Sequence, residues 1–152
     1  MIDSNNLAEY AKRPELALQK LNQLMALLDS DDETERNTAN ELLENCGAPS
    51  QADIPILCEQ LKSGRSSRVY WSSTLLGRLG ATIGEQRERS RIDTELCHAI
   101  SDESHDLSAR ERAAWAIGQL GGVDRDCRAV LEKYVEKAPA RLKRLLETAL
   151  AT

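Results

Sequence analysis

Apolar residues recur along this chain at helical spacing, and three of these segments end at a glycine. The segments are 35–47, 68–80 and 109–121, and they align without gaps. Their fifth position is small and their ninth and twelfth are apolar: Ala39, Ser72 and Ala113, then Leu43, Leu76 and Ile117, then Cys46, Leu79 and Leu120. Small residues where helices approach, with larger ones a turn later, predict an amphipathic helix. The final glycine is the expected stop, because it adopts left-handed dihedral angles at little cost.

Each of these predicted helices follows an earlier apolar segment at a nearly constant distance. The earlier segments are 24–28, 57–61 and 96–100, and polar turns connect them to the helices that follow. The distance from each earlier segment to the closing glycine is 19, 19 and 21 positions: Leu28 to Gly47, Leu61 to Gly80 and Ile100 to Gly121. This spacing predicts helix–turn–helix units that repeat after 33 and then 41 residues and stack on one another.

The two ends of the chain depart from this pattern. A fourth unit is predicted from 124–137 and 139–151, with Pro139 at a helix start. Either its second helix rotates as a cap, or its leucines are exposed and another element covers them, for instance in a homodimer: Leu142, Leu145, Leu146 and Leu150. At the other end, 5–12 is predicted as a short capping helix that Pro14 terminates. We therefore divide the chain into an N-terminal arm or capping helix, 1–14, and a repeat domain, 15–152.

The composition favours an all-α fold. Aromatic residues make up only 3% of the 152 residues, and phenylalanine is absent. Leucine and alanine, which supply the apolar positions instead, favour helices, whereas a sheet core would contain more β-branched and aromatic residues. A chain of this length is typical of one domain.

Charge, hydropathy and cysteine spacing narrow the classes of function. The formal net charge is −5, and proteins that neutralise many phosphates carry clustered basic residues, so nucleic acid is not the expected partner. No apolar run approaches the roughly 18–20 residues of a membrane span, and the N-terminus is not typical of a signal peptide. The four cysteines show neither metal-site nor disulfide spacing, so we interpret them as reduced packing residues of a cytoplasmic protein: Cys46, Cys58, Cys97 and Cys127.

The segment 109–121, ARERAAWAIGQLG, resembles the second helix of a HEAT repeat. It is more similar still to the short HEAT-like repeats first associated with phycobilisome lyases, whose pattern has an arginine at the second position, an Ala-Ala pair and an apolar-Gly-x-Leu-Gly ending. The segment 35–47 keeps Arg36, 68–80 shifts its arginine to Arg68, and the fourth unit keeps Arg141. The resemblance covers roughly residues 15–152. It implies an α-solenoid of about four helix–turn–helix units whose second helices form a concave face.

Five residues are predicted to lie together on that face. If the fifth, sixth, ninth and twelfth positions point inward, the third, seventh and eleventh point outward and the fourth flanks them. The predicted partner-binding residues are Tyr70, Trp71, Arg78, Arg112 and Trp115. Aromatic residues and arginine are enriched at interaction hot spots. The alternative is that the two tryptophans fill gaps in the core, since a one-step change in register would turn Trp71 inward.

Two further polar clusters have a simpler interpretation. Residues 97, 98, 102, 103 and 105 include Cys97, His98 and His105, but their spacing matches no common zinc pattern, so we interpret them as a solvated turn beside a buried thiol. Three arginines at 87, 89 and 91 alternate with glutamates, which favours a solvated helix start over a basic anchor for an acidic partner. No motif of nucleophilic, nucleotide-dependent or metalloprotease catalysis is present.

We therefore predict a non-enzymatic scaffold that binds a peptide or protein on its concave helical face, without a cofactor, a metal or a membrane. HEAT-like proteins are mostly protein-binding scaffolds, and some are subunits of enzymes. One alternative is therefore an accessory subunit of an enzyme, as the lyase-type resemblance implies. Another is a HEAT-like protein that binds nucleic acid, although the acidic charge of this short chain argues against it. Fold analogy alone cannot assign chemistry.

Overall fold

The computed structural model describes residues 7–151 and contains helices but no strand over that range. The chain divides into two compact units between Pro49 and Ser50. The all-α prediction is thus confirmed for the described residues. Among the described helices, none combines the length and the apolar character needed to cross a bilayer.

The first unit is built from α1 (Leu7–Lys12), a 3-10 helix η1 (Pro14–Lys20) that leads into α2 (Leu21–Leu27), and α3 (Glu33–Asn45). The predicted capping helix over 5–12 corresponds to α1, and its first two residues lie outside the described range. Asp32 caps the N-terminus of α3, because its carboxylate accepts a hydrogen bond from the backbone N–H of Thr34 at 2.8 Å. The core of this unit comes mainly from α2 and α3: Leu21, Leu24, Met25, Ala39, Leu42 and Leu43.

The second unit contains three pairs of helices. The first pair is α4 (Ile54–Leu61), preceded by the 3-10 helix η2 (Gln51–Asp53), and α5 (Ser66–Leu79), followed by the 3-10 helix η3 (Gly80–Thr82). The second pair is α6 (Gln86–Ser101) and α7 (Leu107–Gln119), and the third is α8 (Arg125–Val135) and α9 (Ala140–Leu150). Helix α4 packs on α5, α6 on α7, and α8 on α9. In addition, α5, α7 and α9 contact one another in succession, and so do α4, α6 and α8. The second unit therefore has two layers of three helices.

The inward positions predicted for the glycine-terminated helices are buried, with one exception. In α7, Ala113, Ala114 and Ile117 are fully buried, and the small residues allow the neighbouring helices to approach closely. The exception is Asn40 of α3, which is exposed and whose amide donates to the Arg36 carbonyl at 2.9 Å. The closing glycines have the predicted left-handed backbone, with φ of 79°, 59° and 87° at Gly47, Gly80 and Gly121.

Arginine at the second position of the repeat has a visible structural role. Arg36 donates to the carbonyl of Ser30 at 2.7 Å, and the buried Arg110 donates to the carbonyl of Ile100 at 2.9 Å. Both acceptors lie at or just beyond the C-terminus of the preceding helix, where carbonyl groups lack an intrahelical partner. The guanidinium therefore ties the two helices of a unit together. Arg141, at the same position of α9, pairs with Glu111 instead.

The last helix turns its leucines towards its neighbours. Leu142 and Leu146 are fully buried, while Leu145 and Leu150 are half-buried. Helix α9 contacts α7 and α8, so these side chains complete the core of the second unit. The sequence left two arrangements open, and the one in which this helix rotates as a cap applies to Leu142 and Leu146. A homodimer through this helix stays a prediction, and it cannot use the two buried leucines.

Candidate partner-binding site

The guanidinium of Arg112 contacts two aromatic rings. Its central carbon is 4.9 Å from the ring centre of Tyr70 and 4.9 Å from that of Trp115. Nη2 of Arg112 also donates a hydrogen bond to the Tyr70 hydroxyl at 2.9 Å. Stacking on two rings and one hydrogen bond fix the long side chain in one position. We call these three residues the Arg112 stack.

Helices α5 and α7 hold the Arg112 stack in place. Tyr70 belongs to α5, and Arg112 and Trp115 stand three positions apart on α7, so that their side chains share one helix face. The indole of Trp115 lies directly against Gly77 of α5, where an added Cβ would be 2.9 Å from Cη2 and closer still to Cζ3. The missing side chain at Gly77 thus provides the space for the indole. The stack depends on this close approach of α5 and α7.

A recess of about 270 Å³ opens beside the Arg112 stack. It is lined by residues of α5, α7 and α9: Tyr70, Ser108, Glu111, Arg112, Trp115, Arg141 and Leu145. Arg141 Nε lies 3.0 Å from Glu111 Oε2, an ion pair in which the arginine is 76% and the glutamate 14% exposed. The geometry of this pair is not that of a hydrogen bond, and the buried Oε2 has no hydrogen-bond partner among the described residues.

The structure brings three of the five predicted site residues to this recess: Tyr70, Arg112 and Trp115. Trp71 differs from the expected outward position, because only 6% of it is exposed and its ring meets Tyr70 edge-on, with centroids 5.3 Å apart. Helix α5 packs against α4 and α7 and so buries a wider arc than the repeat pattern predicts. Trp71 therefore supports Tyr70 from the core. Arg78 is half-buried on α5 and does not line the recess.

Four lining residues were missed as site residues by the sequence analysis: Ser108, Glu111, Arg141 and Leu145. The repeat itself contained a signal for one of them. Arg141 occupies the second position, where Arg36 and Arg110 bind a helix end, yet its side chain is free of that task and is exposed at the recess. Leu145 was noted only as a dimer candidate. Its contribution depends on the packing of α9 against α7, which the repeat spacing does not determine.

A second polar cluster arranges serine, histidine and aspartate in the order of a catalytic triad. The Ser66 hydroxyl lies 3.1 Å from Nδ1 of His105, and Nε2 of His105 lies 3.7 Å from Asp102. The same hydroxyl accepts the backbone N–H of Asp106 at 2.9 Å. His105 is buried, and a recess of about 260 Å³ is lined by His105 and Asp102 but not by Ser66. The cluster fastens the turn between α6 and α7 to the start of α5.

The arginines near the start of α6 differ in their surroundings. Arg89 is 3.2 Å from Asp93, which is buried and also accepts the backbone N–H of Asp124 at 3.0 Å. Burial raises the pKa of Asp93, and the nearby guanidinium partly opposes that effect. Arg91 forms an exposed pair with Glu59 at 2.9 Å. Arg89 thus orders the connection between α7 and α8, whereas Arg91 contributes only a surface ion pair.

The residues considered for a metal site do not converge. His98 is exposed, Cys97 is buried with its thiol 3.9 Å from the Cys127 carbonyl, and His105 faces Ser66. Within residues 7–151, no group of three or more histidine, cysteine, aspartate or glutamate side chains is arranged to hold a metal ion. Comparisons of this chain with protein-family models, with curated proteins and with solved structures found no match.

Proposed function

We propose that this chain is a small HEAT-like α-solenoid that acts as a protein-interaction module and binds a peptide or protein segment across α5, α7 and α9. The successive contacts of the helix pairs support the repeat assignment. So do Arg36 and Arg110, which both occupy the second position of the repeat and both bind a carbonyl near the end of the preceding helix. The Arg112 stack beside an open recess is the observation that carries the binding function.

The Arg112 stack has the features of an interaction hot spot. Tryptophan, tyrosine and arginine are the residues most enriched at such positions, and side chains fixed before binding lose little entropy when a partner arrives. The recess is smaller than the roughly 300–1,000 Å³ typical of small-molecule pockets, at about 270 Å³. Its size suits one or two side chains of a segment that lies across the helices.

Affinity capture with matched variants tests this function. The full chain is used as bait in an extract of its source cell, beside Arg112→Ala, Arg141→Ala and the control Arg91→Ala. The control removes the same charge from an exposed ion pair on α6, in the other layer of helices. We expect a partner that is retained by the wild type and by Arg91→Ala and is lost with Arg112→Ala.

Circular dichroism establishes that each bait is folded, and Arg141→Ala is the safest variant because its side chain is 76% exposed. Equal capture by all four folded baits would show that the recess is not the binding site. Recovery of a catalytic subunit would identify the module as an accessory part of an enzyme. Binding to nucleic acid at low salt that vanishes at moderate salt would replace the proposal with phosphate recognition.

A further inference from the structure

We infer that the recess binds an acidic side chain, aspartate or glutamate, next to an apolar residue of a partner protein. This inference rests on the proposed function and adds the chemistry of the partner. The recess contains two arginines and one glutamate, so its lining carries one net positive charge on a chain whose formal net charge is −5. A single carboxylate matches that charge.

The guanidinium of Arg112 is presented with its edge available. The rings of Tyr70 and Trp115 both contact the guanidinium, whose central carbon lies 4.9 Å from each ring centre. Of its five N–H groups, only one on Nη2 donates within the described residues, to the Tyr70 hydroxyl. The remaining donors lie in the guanidinium plane, the direction in which arginine binds a carboxylate through two parallel hydrogen bonds. A ligand therefore meets an arginine that is already oriented.

Two neighbours define the rest of the binding chemistry. Arg141, held at Glu111 through Nε, keeps its terminal nitrogens available for a second contact with the same carboxylate. Trp115 and Leu145 give the recess an apolar wall, against which an apolar neighbour of the acidic residue can pack. A single carboxylate neutralises the net charge of the lining, whereas a phosphoryl dianion would leave one unmatched negative charge beside Glu111. The net negative charge of the chain likewise disfavours nucleic acid.

Titration with short peptides tests the inference on the purified full chain. The peptides are acetylated and amidated, with a central Glu-Leu pair in a neutral polar sequence, and the comparison peptides carry Gln, Lys or phosphoserine in place of Glu. Binding is followed by the indole N–H resonances of the two tryptophans. We expect the Glu peptide to shift the Trp115 signal and not that of the buried Trp71, and the Gln peptide to bind at least about tenfold more weakly.

Variants connect the binding to the two arginines. Arg112→Ala should abolish the shift, and Arg112→Lys, which keeps the charge but loses the planar fork, should weaken binding by about tenfold. Arg141→Ala should weaken it about two- to fivefold, as expected for an exposed ion pair. The control Arg91→Ala should bind like the wild type. Increasing salt should weaken the binding of the Glu peptide and leave the binding of the Gln peptide unchanged.

Several outcomes would overturn the inference. Tighter binding of the phosphoserine or the Lys peptide would assign the recess to a different partner chemistry and leave the proposed function intact. A Gln peptide with a free terminal carboxylate that binds as well as the Glu peptide would assign it to a chain terminus. If no peptide shifts Trp115, the carboxylate inference is wrong, and capture with the Arg112→Ala bait then decides independently whether the recess binds a protein.

Discussion

Two glycines at the same position of the repeat should respond to alanine in opposite ways. Gly77 of α5 and Gly118 of α7 both occupy the tenth position of their segments. An alanine replacing glycine within a helix ordinarily stabilises it by about 0.8 kcal/mol, because the unfolded chain loses freedom. At Gly118 the new methyl group would lie 3.9 Å from the Ala149 Cα, an ordinary van der Waals contact. We therefore expect Gly118→Ala to raise the free energy of unfolding by about 0.8 kcal/mol.

At Gly77 the new methyl group would overlap the indole of Trp115, with Cη2 at 2.9 Å and Cζ3 closer. Moving the ring outward costs about 2 kcal/mol, which is the middle of the range for overpacking and includes part of the contact with Arg112. After the gain in helix propensity is subtracted, Gly77→Ala should lower the free energy of unfolding by about 1 kcal/mol. The free energies of unfolding of the two variants should therefore differ by about 2 kcal/mol, with Gly118→Ala above the wild type and Gly77→Ala below it.

Thermal unfolding followed by circular dichroism measures the difference. For a chain of this size, about 1 kcal/mol changes Tm by roughly 2–4 °C, so the two variants should be separated by about 4–8 °C. Tryptophan fluorescence provides an independent check, because only Gly77→Ala should change the surroundings of Trp115. If both variants are stabilised equally and the fluorescence is unchanged, the indole does not lie against α5, and the described origin of the Arg112 stack is wrong.

Three further predictions concern the core. Arg110→Ala leaves the Ile100 carbonyl without its donor and should lower the free energy of unfolding in urea by about 1–3 kcal/mol, with an unchanged midpoint contradicting the role of the buried arginine. Burial raises the pKa of Cys58 to about 11, so native protein at pH 8 should react slowly with a thiol reagent and denatured protein quickly; rapid reaction of all thiols in the native state would refute this. Because burial raises the pKa of Asp93 above 3.8 in the folded state, the stability it contributes is greatest at low pH and falls as pH rises through the folded pKa. Urea unfolding should be measured from below pH 3.8 to above the folded pKa of Asp93. Asp93→Asn should remove this part of the pH dependence, whereas equal pH dependence of the free energy of unfolding in both proteins would contradict the argument.

Much of the fold could be predicted because the repeat encodes it locally. The closing glycines, the small fifth position and the apolar ninth and twelfth positions determine where a helix ends and which face is buried. These signals predicted the pairs α2 with α3, α4 with α5 and α6 with α7 without any knowledge of long-range contacts. Asn40 departs from the pattern, since it occupies a position predicted to point inward but is exposed and its amide donates to the Arg36 carbonyl.

The candidate site was predicted less completely, for a physical reason. Tyr70, Arg112 and Trp115 could be placed on one face from helical periodicity alone. The burial of Trp71 depends on how many neighbours surround α5, and the positions of Arg141 and Leu145 depend on how α9 packs on α7. Such contacts between successive units are set by side-chain shape rather than by spacing. The triad-like order of Ser66, His105 and Asp102 has the same origin, since no local motif links residues 66 and 105.

The residues that explain stacking and those that line the recess are different sets, even on the same helix. On α7, Ala113, Ala114 and Ile117 are buried and account for the packing of the repeat. Arg112 and Trp115 stand among these residues in the sequence, but they line the recess. The packing of α7 does not require an arginine at that position. A purely structural arginine, such as Arg110, buries its charge and binds a carbonyl. Arg112 instead leaves most of its donors available in a fixed orientation, which is the property that a binding residue needs.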